Sequence, residues 1–487
     1  MEVKNKNKHT TLQEETNSNI AEDKMTYNTS NIIQENEKPN TKVPIQAQME
    51  LKQNLIPISK KIRYFIYIIE LFCLLNLDQG GISASTKEIK SYFKMTDREL
   101  GSFGGISFLG TTLGGIFSLS IINKINRKYL ILIFLVIIIF SLFFPTITSS
   151  KIILILSRII TGFSQSFMSI YLPVWVDQYG ISSKKSIMMS LISIPSAFGY
   201  LLGYISAVLT SWKITFRINA LMSSILFVCF FFSKNLYFSK SIVPKKIDNN
   251  SINNSITSNI NEVISLFEDA AVNNDQYGKK SIIQHAKECF KSKLFCFSTI
   301  SLISIFLILS GLQFWINDFL ENSIHILDKK ERLIYFIVII LITMIGAPIT
   351  GGFILQKLGG YESYRSIYLP FYCCIFSLVC SNLLLLSSYK NFVAILICGY
   401  LFSGCIMISS LNGIIMSSIK KEYAGSASSI SNLLYNICGR LVGPSFYGFT
   451  RSFFTIESKI PMVILLDVKF ITLICLYKCF KYKKIMI

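Results

Sequence analysis

"GTTLGGIFSLSIINKINRK", Gly110 to Lys128, joins a glycine-spaced apolar run to a short cationic turn. The same order of parts returns in "GAPITGGFILQKLGG", Gly346 to Gly360. Weak internal symmetry of this kind, carried on apolar segments, is what duplicated membrane-protein units leave in a sequence.

Composition agrees with a membrane setting. The 487 residues are 51% hydrophobic and only 16% charged, with a mean hydropathy of +0.49, too apolar to furnish a polar surface. Apolar runs of about 20 residues, the length that crosses a bilayer, fall at Ile62–Gly81, Ser102–Ile122, Tyr129–Ile147, Ile152–Tyr171, Ser186–Leu209 and Phe216–Ser233. Six more follow at Leu294–Ile316, Leu333–Leu355, Ser366–Ser388, Asn391–Ser417, Ala424–Phe449 and Pro461–Phe480. The expectation is an all-α polytopic protein with twelve transmembrane helices in two pseudo-symmetric six-helix bundles, at residues 61–233 and 294–480.

Three polar stretches frame the bundles. Residues 1–60 lack an apolar run and read as a disordered arm with no cleavable signal peptide. Residues 234–293 contain "DNNSINNSITSNINE" and read as a linker. Residues 481–487 form a basic tail. Lys and Arg are nearly balanced between the two sides, but the Asn123–Lys128 turn and the Lys478–Lys484 stretch favour cytosolic termini. Plasma membrane and internal organelle membrane both remain open.

The net charge of +20 resides mostly in short loops and tails, so membrane topology explains it and nucleic acid is not an expected partner. The twelve cysteines sit largely in apolar runs, as small hydrophobes do. No cysteine or histidine spacing suggests a metal, His9, His285 and His325 have no catalytic partner, and no phosphate-binding loop occurs. No cofactor and no enzymatic chemistry are expected; membrane lipids and a small molecule are the expected partners, to a monomer.

These residues resemble the major facilitator superfamily, whose turn after the second span reads G-x-x-x-D-R-x-G-R-[RK]. Arg127 and Lys128 match its basic end, while Leu119, Asn123, Lys124 and Asn126 stand at the first glycine, the acid, the next base and the second glycine. The second copy matches at Gly352, Lys357 and Gly359. Closer still is the spinster-like branch and its protist relatives, in which the first span ends in Asp-Arg and the fourth reads R-x-x-x-G-x-G-E. Asp78, Arg158 and Gly162 match; Gln79, Ser164 and Gln165 replace the arginine, the second glycine and the glutamate. Pro173 and Asp177 match a fourth-span ending of the superfamily. The resemblance implies a gate at Lys124, Arg127, Lys128, Asp177, Gly352, Lys357 and Gly359, with Asp177 and Arg127 as a clasp. It also implies rocking-type alternating access. The branch is associated with lysophospholipids and sphingoid lipids, often with protons; the wider superfamily carries sugars, amino acids, peptides and drugs.

Charges within apolar runs are retained when they face inward and find partners. Glu70 and Asp78 lie eight residues apart on the first span, about 12 Å along the axis and about 80° around it. With Arg158 they are candidates either for a structural pair or for a site that binds a polar group or exchanges a proton. Glu70, absent from the branch pattern, is a candidate for the proton role that Gln165 cannot take. Gln165, Gln313, Asn317 and Asn412 are neutral candidates for substrate bonding or helix–helix bonding. Arg440 is a candidate for gating or anion binding, and Gly439, Gly443 and Pro444 for close helix packing or a sliding contact. A secondary carrier of a small organic solute or lysolipid-like metabolite, with protons as a candidate co-substrate, is the leading reading. A non-transporting receptor or scaffold on the same fold is the alternative.

Overall fold

The computed structural model describes residues 58–121, 125–179, 194–233, 286–360, 363–387, 389–420 and 424–486. They are almost wholly helical, with no strand among the described residues. Helices are the form in which a chain in hydrocarbon satisfies its own backbone donors and acceptors. Among the described residues ten helices are long and apolar enough to span: Ser59–Ala84, Asp97–Ser118, Arg127–Thr146, Lys151–Tyr171, Trp212–Phe231, Lys293–Asn322, Lys329–Lys357, Tyr364–Leu386, Lys390–Ser417 and Ile460–Lys483. Of the fifth expected span the described residues hold the helix Ile194–Leu209, and residues 186–193 lie outside them. The eleventh is Ala424–Leu434 and Val442–Arg451, joined by a π-helical turn at Tyr435–Arg440. The last helix runs to Met486, through the stretch read from the sequence as a basic tail. The N-terminal arm and nearly all of the linker lie outside the described residues.

Local sequence sets the helix ends and breaks. Asn126, where the superfamily turn has glycine, caps the third span by accepting from the Lys128 N–H at 3.0 Å. Ser211, Ser292 and Asp328 cap the sixth, seventh and eighth spans in the same way. The eighth span carries a second π turn, Ile342–Gly346. Each π turn precedes a proline, Pro348 or Pro444, whose missing N–H frees a carbonyl one turn back.

Glycines fix which spans cross. A Cβ on Gly199, Gly203 or Gly80 would strike the carbonyl of Cys73, Leu77 or Tyr200, so the first and fifth spans touch backbone to backbone. Gly110, Gly114 and Gly162 do the same for the second and fourth spans. Gly439 and Gly443 press the eleventh span onto Ile303 and Leu307 of the seventh. Gly203→Ala is therefore expected to cost about 1–3 kcal/mol through overpacking, read as a lower melting temperature in detergent. Gly115→Ala, with nothing within 4 Å of the new methyl, should melt like the parent; equal melting of the two variants would refute this packing.

The two halves meet on one side. Ile58, the turn before Arg127 and Met486 share the termini side, and the other end of each span is the far side. Among the described residues, the hydrogen bonds, ion pairs and ring contacts between the halves lie in the far halves of the spans. They include Tyr200 to the Gln313 carbonyl at 2.9 Å, Tyr204 stacked on Phe336, and Arg98 over Phe449. Gly101 and Gly105 let the second span reach the backbone of Pro444 and Leu441.

Candidate functional site

Asp78 is 1% exposed and Arg158 3% exposed, and the first and fourth spans bring them together as an ion pair through Asp78 Oδ2 and Arg158 Nη1. Gln165, two turns further along the fourth span, donates through Nε2 to the Leu75 carbonyl and to Asp78 Oδ1 at 3.3 Å. The amide at 165 thus supplies an N–H to two acceptors; a glutamate there would set a second anion against them. Close packing of Gly162 against Ser107 brings the second span alongside.

Beside this cluster lies a cavity of about 30 Å³ lined by Gln79, Ser83, Ser107, Arg158, Ser310 and Gln313, among others. Both halves contribute to it. Glu70 is not brought there: it is exposed, and it lies nine residues from Gln79, about half a turn round the helix. Its neighbours on that face are Ile62 and Ile66, both exposed. Gln313 lines the cavity, whereas Asn317 is committed to structure, accepting from Tyr204 and from Arg332 Nε at 3.0 Å each and donating to the Ala84 carbonyl at 3.0 Å. Asn412 lies apart, in an open cleft of about 590 Å³ with Gly359, Gly360 and Ser409.

A far-side network, missed in the sequence, surrounds Asn317. Glu321 pairs with Lys87 of the first half at 2.7 Å and with Arg332 at 3.3 Å, and Arg332 is buried. Asp318 pairs with the buried Arg451, which lies over the Trp315 ring. Each half thus has a buried aspartate near the end of its first span held by an arginine. The signal available was the acidic and amide run "INDFLEN", Ile316 to Asn322, at a span end; its partners, distant in sequence, gave none.

On the termini side, Lys128 donates to the Phe231 carbonyl at 2.8 Å, tying the third span to the sixth. Arg127 is buried with its guanidinium over the Tyr171 ring. Lys124 and the Asp177 side chain lie outside the described residues, and with them the expected clasp. Gly352 is exposed, Lys357 lies over the Phe353 ring at 4.6 Å, and Gly359 holds φ +93°, a left-handed turn that glycine permits. Arg440 stands in the eleventh-span π turn among Phe306, Tyr435 and, from the other half, Phe108, at 4.5, 5.4 and 5.6 Å from the ring centres. Pro444 accepts from Trp315 Nε1 at 3.0 Å.

The sequence profile of the Major Facilitator Superfamily matches residues 71–444. The chain belongs to the major facilitator superfamily. This superfamily member is a multi-pass membrane transporter, a secondary carrier and not an enzyme. Its fold is similar to that of a bacterial homologue of the human lysosomal transporter Spinster, inward-facing and unoccupied, with TM-score 0.70, 12% identity and coverage of 88% of this chain and 98% of that one. It is also similar to the xylose transporter XylE from E. coli, inward open, with TM-score 0.62, 12% identity and coverage of 87% and 96%. For the nucleoside transporter NupG the values are 0.60, 14%, 86% and 99%. No curated protein matches the chain.

Proposed function

We propose that this carrier moves a small polar organic solute by alternating access, with proton exchange at Asp78 coupled to turnover. The observation that carries the reading is the Asp78–Arg158–Gln165 cluster, buried at a cavity to which both halves contribute. Neutralising Asp78 would free the Arg158 guanidinium for cargo, so proton and cargo compete for one set of bonds. The far-side contacts between halves support a conformer closed there, and cytosolic termini would make that closed side the outer one. Polar lining supports a carrier over a non-transporting receptor, and the spinster-like resemblance keeps lysolipid-like metabolites among the solutes to be tested.

Uptake into proteoliposomes, with and without a pH gradient, tests the reading. Asp78→Asn is expected to abolish gradient-driven uptake, and Glu70→Gln, on the opposite face of the helix, to retain it. Loss of the gradient effect in Glu70→Gln with its retention in Asp78→Asn would reassign the proton to Glu70.

A further inference from the structure

We propose that the cavity lined by Ser107, Phe108 and Arg158, with the Arg440 guanidinium against the Phe108 ring, receives one oxyanionic group of the cargo, a carboxylate or a phosphate. The inference rests on the carrier reading above and adds the charge of the cargo. Three donors in this region lack acceptors among the described residues. The Ser107 hydroxyl and Arg158 Nε are buried without a hydrogen-bond partner among the described residues, and both residues line the small cavity. The Arg440 guanidinium makes no hydrogen bond or ion pair among the described residues and faces only rings. Phe108 connects the two places, since it lines the cavity and lies under Arg440.

Charge points the same way. Asp78 neutralises Arg158, whereas Arg440 has no counter-ion among the described residues within the bilayer, where such charges are retained for a pathway or a ligand. A single oxyanion in the cavity would accept from the Ser107 hydroxyl and Arg158 Nε and balance the Arg440 charge across the Phe108 ring. The π turn of Tyr435–Arg440 places this cation at the boundary between the halves, because it gives the eleventh span an extra residue ahead of Pro444.

Melting of the purified full chain in detergent, titrated with matched pairs, tests the proposal. The pairs are benzoate and benzamide, glycerol 3-phosphate and glycerol, and lysophosphatidate and monoacylglycerol. In at least one pair the oxyanion should bind about tenfold or more tighter than its neutral partner. Arg440→Gln should remove that preference, Arg440→Lys should keep part of it, and Ser107→Ala, which leaves packing intact, should weaken it. Which pair responds separates a free carboxylate or phosphate from a lipid headgroup. No preference in any pair, or a preference unchanged in both Arg440→Gln and Ser107→Ala, overturns the proposal. Counterflow in proteoliposomes separates the two readings. Flux of neutral solutes without anion preference overturns the oxyanion site alone, whereas oxyanion binding without any flux overturns the carrier reading alone.

Discussion

Asp78→Asn is expected to destabilise the protein by about 3–5 kcal/mol, because it leaves the Arg158 guanidinium buried without its counter-ion. The double variant Asp78→Asn, Arg158→Gln removes both charges and should recover most of that loss, since two neutral amides can bond to each other and to Gln165. Transport should stay absent in both, as the proposed proton acceptor is gone in each. A double-mutant cycle on melting in detergent, run alongside proteoliposome uptake, separates the pair's contribution to folding from its part in turnover. Additive losses in the cycle would mean that the pair does not couple, and active transport by the double variant would remove Asp78 from the mechanism.

Arg332→Gln should loosen the far side. The arginine holds Asn317, Glu321 and the carbonyls of Ile326 and Leu327, and Asn317 and Glu321 in turn hold Tyr204, Ala84 and Lys87 of the first half. Lys87 is largely exposed, so its bond alone contributes little. The buried Arg332–Asn317–Tyr204 chain is the stronger part, and its loss is expected to shift the population toward a far-side-open conformer by about tenfold or more. Spin-label distances between Lys94→Cys and Glu457→Cys, on opposite halves and both exposed, should broaden and lengthen in a background freed of reactive thiols. An unchanged distribution would show that the glycine contacts of Gly101 and Gly105 hold the far side without the polar chain.

Particular residues show how far the sequence could be read. Asp78 and Arg158 were visible as charges in apolar runs, and the structure joins them. Glu70 stood out equally, and the structure places it on the opposite face from the cavity-lining Gln79. An angle of about 80° between Glu70 and Asp78 was compatible with one broad face; the neighbours of each residue decided otherwise. Gly199 and Gly203 were legible as a close-packing motif, but only the crossing with Cys73 and Leu77 shows that they join spans within one half.

By itself the sequence determined the membrane class, the helical fold and the twofold repeat, because hydrocarbon forces backbone self-satisfaction and span length onto composition. Tertiary structure alone decided the partners: Arg158 for Asp78, Arg451 for Asp318, Arg332 for Asn317 and Glu321, and, among the described residues, only aromatic rings for the Arg440 guanidinium. A charge written in one span specifies only that it needs company. Which residue supplies it depends on how helices far apart in sequence cross, and those crossings are set by backbone approaches at glycines and prolines.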